Sequence, residues 1–532
     1  MTAKDSQAEP RSNELIFGLV APIGVDLNLV CEVLSQTLKE YGYDTETEAE
    51  AVRITTLMKQ VDIGLPFDAA KYVDQVKFRI AYANKLRAEL ENDALAVMAV
   101  SAIRQFRKKE NLKILEAKGE QPVAGIFYEE RFLDNRAFVI RQLKRPEEVN
   151  TLRRIYGDRF ILVGANAPIE TRKRHISDEQ NKSLGGLVPH VKIESMVNDL
   201  ISQDSIEARE KHGQKVRDAY PLADVFIDAT TRATCEATVR RFIRLFFGYN
   251  GITPSRDEYG MYIAKSAALR SGDLSRQIGA AIFSKTGEVI TLGCNEVPKA
   301  GGGTYWPDAT FDGRDFAVGY DPNESLTREV FVDLVDRLKN SNAFASNKYP
   351  DEMDSVEIAK ELMKNPDAAT SVKESRVMDI IEFGRIIHAE MSAISDAARK
   401  GLALQDGTLF CTAFPCHLCA KHIVAAGIRR VVFLEPYPKS YAWKLHEDSI
   451  VVDQREDGRR VSFESFLGVS PVRYRNLFEK KSRKKDGVAI PWCRGKPEPM
   501  IEMLYPGYIA IEFYRVNGLM ERLKKAGWQL PE

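Results

Sequence analysis

The residues that most constrain how this chain folds are His388-Ala389-Glu390 and, one helical and one strand-like stretch further on, Pro415-Cys416-His417-Leu418-Cys419. They offer an imidazole, two thiols and a carboxylate, the donor set of a buried metal site with one acid to spare. Cys416 and Cys419 open the helical stretch HLCAKHIVAAGI one turn apart, so both point at a single ion. The positive end of that helix favours thiolates there. His388 opens the preceding helical stretch HAEMSAISDAARKG, and the strands TLFCTA and RRVVFLE follow the two helices in turn. A fold that brings two successive helix starts together in this way is an α/β layer structure. Chance is a poor explanation: with seven Cys and 23 Pro in 532 residues, composition predicts roughly 0.004 P-C-x-x-C matches. A redox pair would leave His388 and Glu390 unexplained. Cys31, Cys235, Cys294, Cys411 and Cys493 are isolated and read as buried, reduced thiols.

H-x-E followed by P-C-x-x-C is the signature of zinc-dependent base deaminases, and the chemistry accounts for the spacing. Three protein ligands, His388, Cys416 and Cys419, hold one zinc per chain and leave a fourth position for water, whose pKa falls to roughly 7. Glu390 is not needed as a ligand. It is the catalytic residue, placed to take a proton from that water and deliver it to the ring nitrogen and leaving amine.

The length predicts two to four domains. Lys plus Arg equals Asp plus Glu at 76 each, so no global charge advertises nucleic acid or membrane as partner. No apolar run reaches the ~20 residues of a membrane span, and residues 1–12 read as a disordered tail; a cytoplasmic protein is expected. Residues 13–250 alternate strands and helices, which predicts a parallel sheet. The apolar run ELIFGLVAPIG leads into a helix carrying Leu29, Val33, Leu34 and Leu38, and strands are expected at 137–143, 159–165 and 224–229. The charged stretch 171–219 reads as a lid or a surface excursion. Residues 251–532 open with a helix and two strands, GAAIFS and EVITLGCNE, joined by the turn KTG. An insertion spans about 300–380. A loop-rich extension starts near 445, carries the basic run 480–485 and closes with an expected strand, YIAIEFY.

HAEMSAI and TAFPCHLCAKHIVAAGIRRVVF resemble the deoxycytidylate deaminase family, including the Thr412-x-x-Pro415-Cys416 lead-in; LSRQIGAAIF and LGCNEVP are similar to its strand entry and Asn turn. The resemblance implies a cytidine-deaminase-like three-layer α/β/α domain over 251–532 that acts on a free deoxycytidine nucleotide. It also implies that Asn295 contacts sugar or base, that Arg276 lies near the phosphate, and that Ala389, Thr412 and Pro415 line the substrate site. Cys294 and Glu296 depart from the family pattern, an aromatic and a Gly respectively. The Gly-rich 301–304 is a further candidate wall, since glycine lets backbone approach a ligand. No second zinc is expected.

GLVAPIGVDLNLV sits where nucleotide kinases carry their phosphate loop, so 13–250 resembles a P-loop-like parallel α/β domain. Laid over that loop, Ala21 and Asp26 replace the two glycines, Leu27 the lysine and Asn28 the hydroxyl residue. A degenerate loop without ATPase chemistry is expected, with Gly24, Asp26, Arg172 and Arg174 as nucleotide-binding candidates. Asp228 reads as a strand-end cap ahead of a Mg²⁺ ligand. The two-domain layout resembles bacterial anti-phage deoxycytidine nucleotide deaminases, which implies depletion of dCTP and dCMP, a homo-oligomer, and an inhibitory small RNA or nucleotide effector. Two other readings stay open: a deaminase acting on RNA or single-stranded DNA bases, and a sensor whose N-terminal domain gates the deaminase. Riboflavin-pathway deaminases share the motif, but no reductase domain is evident.

Overall fold

The computed structural model describes residues 14–45, 52–185, 190–207, 210–345, 348–350, 352–364, 372, 375–380, 382–436, 440–453, 458–480, 482–490, 499–501 and 507–528. The expected N-terminal tail lies outside the described residues. The chain forms two compact units, Met1–Tyr259 together with Ser465–Glu532, and Gly260–Glu464. Both are mixed α/β structures built on parallel strand pairs.

In the first unit, β1 (Leu15–Val20) is buried along its whole length, as a central strand covered on both faces must be. β2 (Asp44–Thr45), β3 (Val52–Arg53), β4 (Arg136–Arg141), β5 (Phe160–Asn166) and β6 (Val225–Asp228) complete its parallel sheet. β1 lies between β4 and β5, with Phe17 opposite both Val139 and Ile161. The expected helix forms as Leu27–Lys39, its Leu27, Val33, Leu34 and Leu38 buried in the same core as Phe17 and Phe246. Strands appear at all three expected places. Asp228 accepts a hydrogen bond from Thr230 N at 2.8 Å, the strand-end cap expected of it. The charged 171–219 stretch is a packed helix pair, Ile169–Ser183 and His190–Glu207, whose Ile176, Ile193, Val197 and Leu200 join Val73 and Ile80 in a second cluster.

The second unit is a six-stranded sheet formed by β7 (Gly279–Phe283), β8 (Val289–Cys294), β9 (Thr408–Ala413), β10 (Arg430–Glu435), β11 (Ile450–Val452) and β12 (Val461–Ser465), ordered β11-β12-β10-β9-β7-β8. β7 runs antiparallel to β8 and β9, and β9 runs parallel to β10. Ala280 and Ile282 face the helices Ala389–Lys400 and His417–Ala425 in one core. On the other face a Cβ at Gly279 would meet Ala264 O at 2.0 Å, so the helix Arg256–Ala268 covers that side and the layers are helix, sheet, helix. A Cβ at Gly293 would meet Ala389 O at 2.1 Å. Only glycine lets β8 lie that close under the start of the Ala389 helix.

Three expectations need correction. The boundary expected near residue 250 lies at Tyr259, and the C-terminal extension is divided: residues from Ser465 onward return to the first unit. There β13 (Gly468–Val469) pairs antiparallel with β6. YIAIEFY is not a strand but the start of the helix Tyr508–Lys525, which buries Tyr508, Glu512, Leu519 and Leu523. Its first seven residues are a short run rich in Ile and aromatic residues, which suits a strand as well as a helix. The burial at four- and seven-residue spacing, with Glu512 on two arms of the buried Arg107 at 2.6 and 3.0 Å, is helical.

Candidate active site

Two helix starts build the site. His388 is the N-cap residue of Ala389–Lys400, held extended by a bridge in which Glu296 and Ile387 exchange backbone hydrogen bonds at 3.3 and 3.2 Å. Cys416 is the N-cap residue of His417–Ala425, and Cys419 lies in its first turn. His388 Nδ1 stands 3.3 Å from Cys416 Sγ and 3.4 Å from Cys419 Sγ. The three ligand atoms all lie within 4.8 Å of one another. Glu390, 4% exposed, sits in the first turn of its helix, where the dipole favours a carboxylate. Its Oε2 is 3.6 Å from Cys419 Sγ.

The protonation preferences conflict. A hydrogen bond from Cys419, joined by His388, holds the Cys416 thiol down to about 4. Cys416 in turn raises His388 to about 9 and drives Cys419 well above the usual thiol range. Burial, then the Cys416 charge, raises Glu390. A divalent cation resolves these conflicts, because it takes both sulfurs as thiolates and the imidazole as neutral. Two sulfurs and one nitrogen suit zinc, and ordinary zinc bond lengths give a tetrahedral N–S edge of roughly 3.5 Å, close to the observed separations. The residues fit the metal expected of them.

His388, Glu390 and Cys416 floor a cavity of about 350 Å³ whose walls include Arg276, Asn295, Asn323, Arg385 and Phe414. Asn295 and Arg276 stand where the sequence put them, but both are engaged. Asn295 Oδ1 accepts from Ile278 N at 2.7 Å, and Nδ2 donates to Asp273 and to Arg276 O at 2.8 and 2.6 Å. Arg276 is paired with Glu435. Ala389 lines the cavity. Thr412 and Pro415 are not among its lining residues: Thr412 Oγ1 accepts from Gly279 N at 3.1 Å, and Pro415 O accepts from Ser440 at 2.8 Å. The Gly-rich 301–304 is also absent from the walls and packs against Arg399. Glu296, the departure from the family's Gly, is buried and accepts from Gly272 N at 2.8 Å, bracing the wall loop from behind.

Arg385 and Asn323 are among the wall residues that sequence reasoning missed. Arg385 is paired with the buried Asp315 and donates to Gly313 O at 2.9 Å. Asn323, at the start of the insertion helix Pro322–Asn340, donates to Ile380 O at 2.9 Å and accepts from Phe383 N at 3.2 Å. Arg385 stands three residues before His388, so proximity to the motif was the one available signal; Asn323 offered none.

In the first unit, Asp26 caps the Leu27–Lys39 helix, accepting from Asn28 N and Leu29 N at 3.0 and 3.2 Å. A Cβ at Gly24 would meet Arg172 at 2.9 Å, and Arg172 donates to Ile23 O at 3.1 Å. Arg174 is exposed. The four candidates do not converge on one cleft.

Residues 254–435 match the family described as the cytidine and deoxycytidylate deaminase zinc-binding region, and this part of the chain is a domain of that family. Deoxycytidylate deaminase of Enterobacteria phage T2 is 44% identical over 54 residues, 10% of this chain and 29% of that protein. ComE operon protein 2 of Bacillus subtilis (strain 168) is 38% identical over 74 residues, 14% of this chain and 39% of the relative. The chain thus spans less than half the length of either. Among solved structures, dCMP deaminase from cyanophage S-TIM5 in complex with dCMP and dUMP aligns at 17% identity and a TM-score of 0.22, covering 40% of this chain and 98% of that one. No helix of the described residues is long and apolar enough to cross a membrane.

Proposed function

We propose that the Gly260–Glu464 unit deaminates a free deoxycytidine nucleotide, dCMP or dCTP, by zinc-dependent hydrolysis to dUMP or dUTP. The observation that carries this reading is the placement of the buried Glu390 carboxylate beside a His388–Cys416–Cys419 cluster at the floor of a cavity sized for one nucleotide. Zinc held by those three residues supplies Lewis acidity that activates water at neutral pH. Glu390, which burial favours in its protonated form, carries the proton between water, ring nitrogen and departing amine. Phe414 gives the ring an apolar wall, and the Asn295-braced loop 273–278 sets the other side. Arg276 and Arg385 are the cations available to a phosphate. The physiological reading we attach is depletion of the deoxycytidine nucleotide pool in phage defence, supported by the sequence resemblance of the two-part layout.

A mass-spectrometric assay over deoxycytidine, dCMP, dCTP, the cytidine nucleotides, dAMP and a cytosine-containing oligonucleotide tests the proposal. dCMP or dCTP should lead by roughly 10²–10⁴, because a site built around a phosphate leaves polar groups unpaired when it is missing. Equal turnover of deoxycytidine would overturn it, and preference for the oligonucleotide would move the function to nucleic acid.

A further inference from the structure

Glu296 lies two residues beyond β8 and is only 1% exposed. A carboxylate taken that far out of water is costly unless hydrogen bonds replace the water. Two backbone N–H groups do so here: Gly272 N donates to Oε2 at 2.8 Å and Val297 N to Oε1 at 2.9 Å. The first of these bonds holds the start of the substrate-wall loop. The guanidinium of Arg314, from the insertion, stands against the same glycine. A Cβ at Gly272 would lie 3.0 Å from Glu296 Oε2 and 3.5 Å from Arg314 Nη1, so only glycine lets the three pack this closely. Arg314 is itself fixed by the two oxygens of Asp312, at 2.9 and 2.7 Å. Asp312 first, with Glu296 adding to it, raises the Arg314 pKa.

This joint connects the supports of the two cations that line the substrate cavity. Arg276 follows Gly272 by four residues on the wall loop. Arg385 is held at 3.0 Å by Asp315, the residue after Arg314, and at 2.9 Å by the carbonyl of Gly313, the residue before it. The tie at Gly272 therefore fixes where one guanidinium starts, and Arg314 packed against that tie fixes the frame of the other. The family pattern carries glycine at position 296 and has no carboxylate with which to make the tie. We infer that Glu296 is a positioning residue for the substrate phosphate, setting the span between Arg276 and Arg385 by locking the wall loop to the insertion. The inference rests on the nucleotide reading above, and it concerns the phosphate rather than the chemistry at the metal. The bridge between Glu296 and Ile387 that places His388 is made by backbone groups and does not need the carboxylate.

The test compares the full-length wild type with Glu296→Ala, Glu296→Gln and Arg314→Gln. It reads zinc content, kcat and KM for dCMP and deoxycytidine, and calorimetric binding of the products dUMP and deoxyuridine. Glu296→Ala should keep about one zinc per chain. Its preference for dCMP over deoxycytidine should fall roughly tenfold or more, mostly through KM, the weight of one charge-assisted hydrogen bond. Affinity for dUMP should fall by a similar factor and that for deoxyuridine far less. Glu296→Gln, whose amide oxygen still accepts from Gly272 N, should recover most of the loss. Arg314→Gln loosens the same joint from the insertion side, should shift the preference in the same direction, and carries the comparison if Glu296→Ala does not fold. The inference is overturned if the folded variants lose both substrates in parallel, release zinc, or keep the wild-type preference. A wild type that itself treats dCMP and deoxycytidine alike removes the nucleotide reading and this inference with it, whereas a wild-type preference that survives in the variants removes this inference alone.

Discussion

Asn295 Oδ1 lies 2.7 Å from the backbone nitrogen of Ile278, while its amide nitrogen donates to Asp273 and to the carbonyl of Arg276. One buried side chain thus fixes both ends of the loop that walls the substrate cavity. Asn295→Asp keeps the acceptor for Ile278 but sets two carboxylates together. We expect it to raise KM and lower kcat/KM by about tenfold or more, since each unmade buried hydrogen bond costs about 1–3 kcal/mol, while zinc content is unchanged. Steady-state kinetics with metal analysis checks this; unchanged kinetics would remove the bracing role.

The metal cluster and its acid should separate cleanly. Cys416→Ala and Cys419→Ala should lose both zinc and activity. Glu390→Ala should keep about one zinc per chain and lose a factor of about 10²–10⁴ or more in turnover. Metal analysis beside a dCMP assay reads both quantities. Glu390→Ala protein that came out without zinc would show the carboxylate to be a ligand.

Arg276 and Arg385 both face the substrate cavity, yet they differ in what holds them. The Arg276–Glu435 pair is half exposed, so Arg276→Ala should cost at most about 1 kcal/mol of stability. Arg385→Ala strands the buried Asp315 and should cost about 1–3 kcal/mol. Both should weaken dCMP use more than deoxycytidine use. Thermal melts and kcat/KM for the two substrates decide it, and a parallel loss on both substrates would take the phosphate away from these residues.

Glu512 binds both arms of Arg107, and Arg107 also reaches Glu14 at 2.9 Å. All three are fully buried. Glu512→Ala leaves half of a buried ion network unmet and should cost about 3–5 kcal/mol, read as an earlier unfolding transition in denaturant. A melt identical to wild type would show that the C-terminal helix does not stabilise the first unit.

The zinc motif was legible because its chemistry demands fixed residue types at fixed spacing. The central strands were legible because full burial writes continuous apolar runs such as LIFGLV. The site's outer wall was not. Asn323 and Asp315 reach the cavity from the 300–380 insertion, whose own small core of Phe331, Val335, Tyr349 and Ile358 carries no catalytic pattern. Thr412 and Pro415 follow the family motif but serve the strand and the helix entry. The return of the C-terminus was hidden for another reason: two residues of pairing, Gly468 and Val469 against β6, are too few to leave a strand signal. The helix at Tyr508 begins with a short, nearly continuous apolar run, which periodicity alone cannot assign to helix or strand.

Because Gly260–Glu464 is continuous in sequence whereas its companion unit is split around it, the ribosome delivers the two in an unequal order. All of the zinc motif and its sheet have emerged while the first unit still lacks β13 and the helix that carries Glu512. Until the residues beyond Ser465 are made, Arg107 lacks its Glu512 partner, and the first unit stays incomplete although its synthesis began earlier. A product broken off after residue 464 would therefore hold a whole zinc-motif unit attached to an unfinished neighbour, the kind of partly exposed species that aggregates or is degraded.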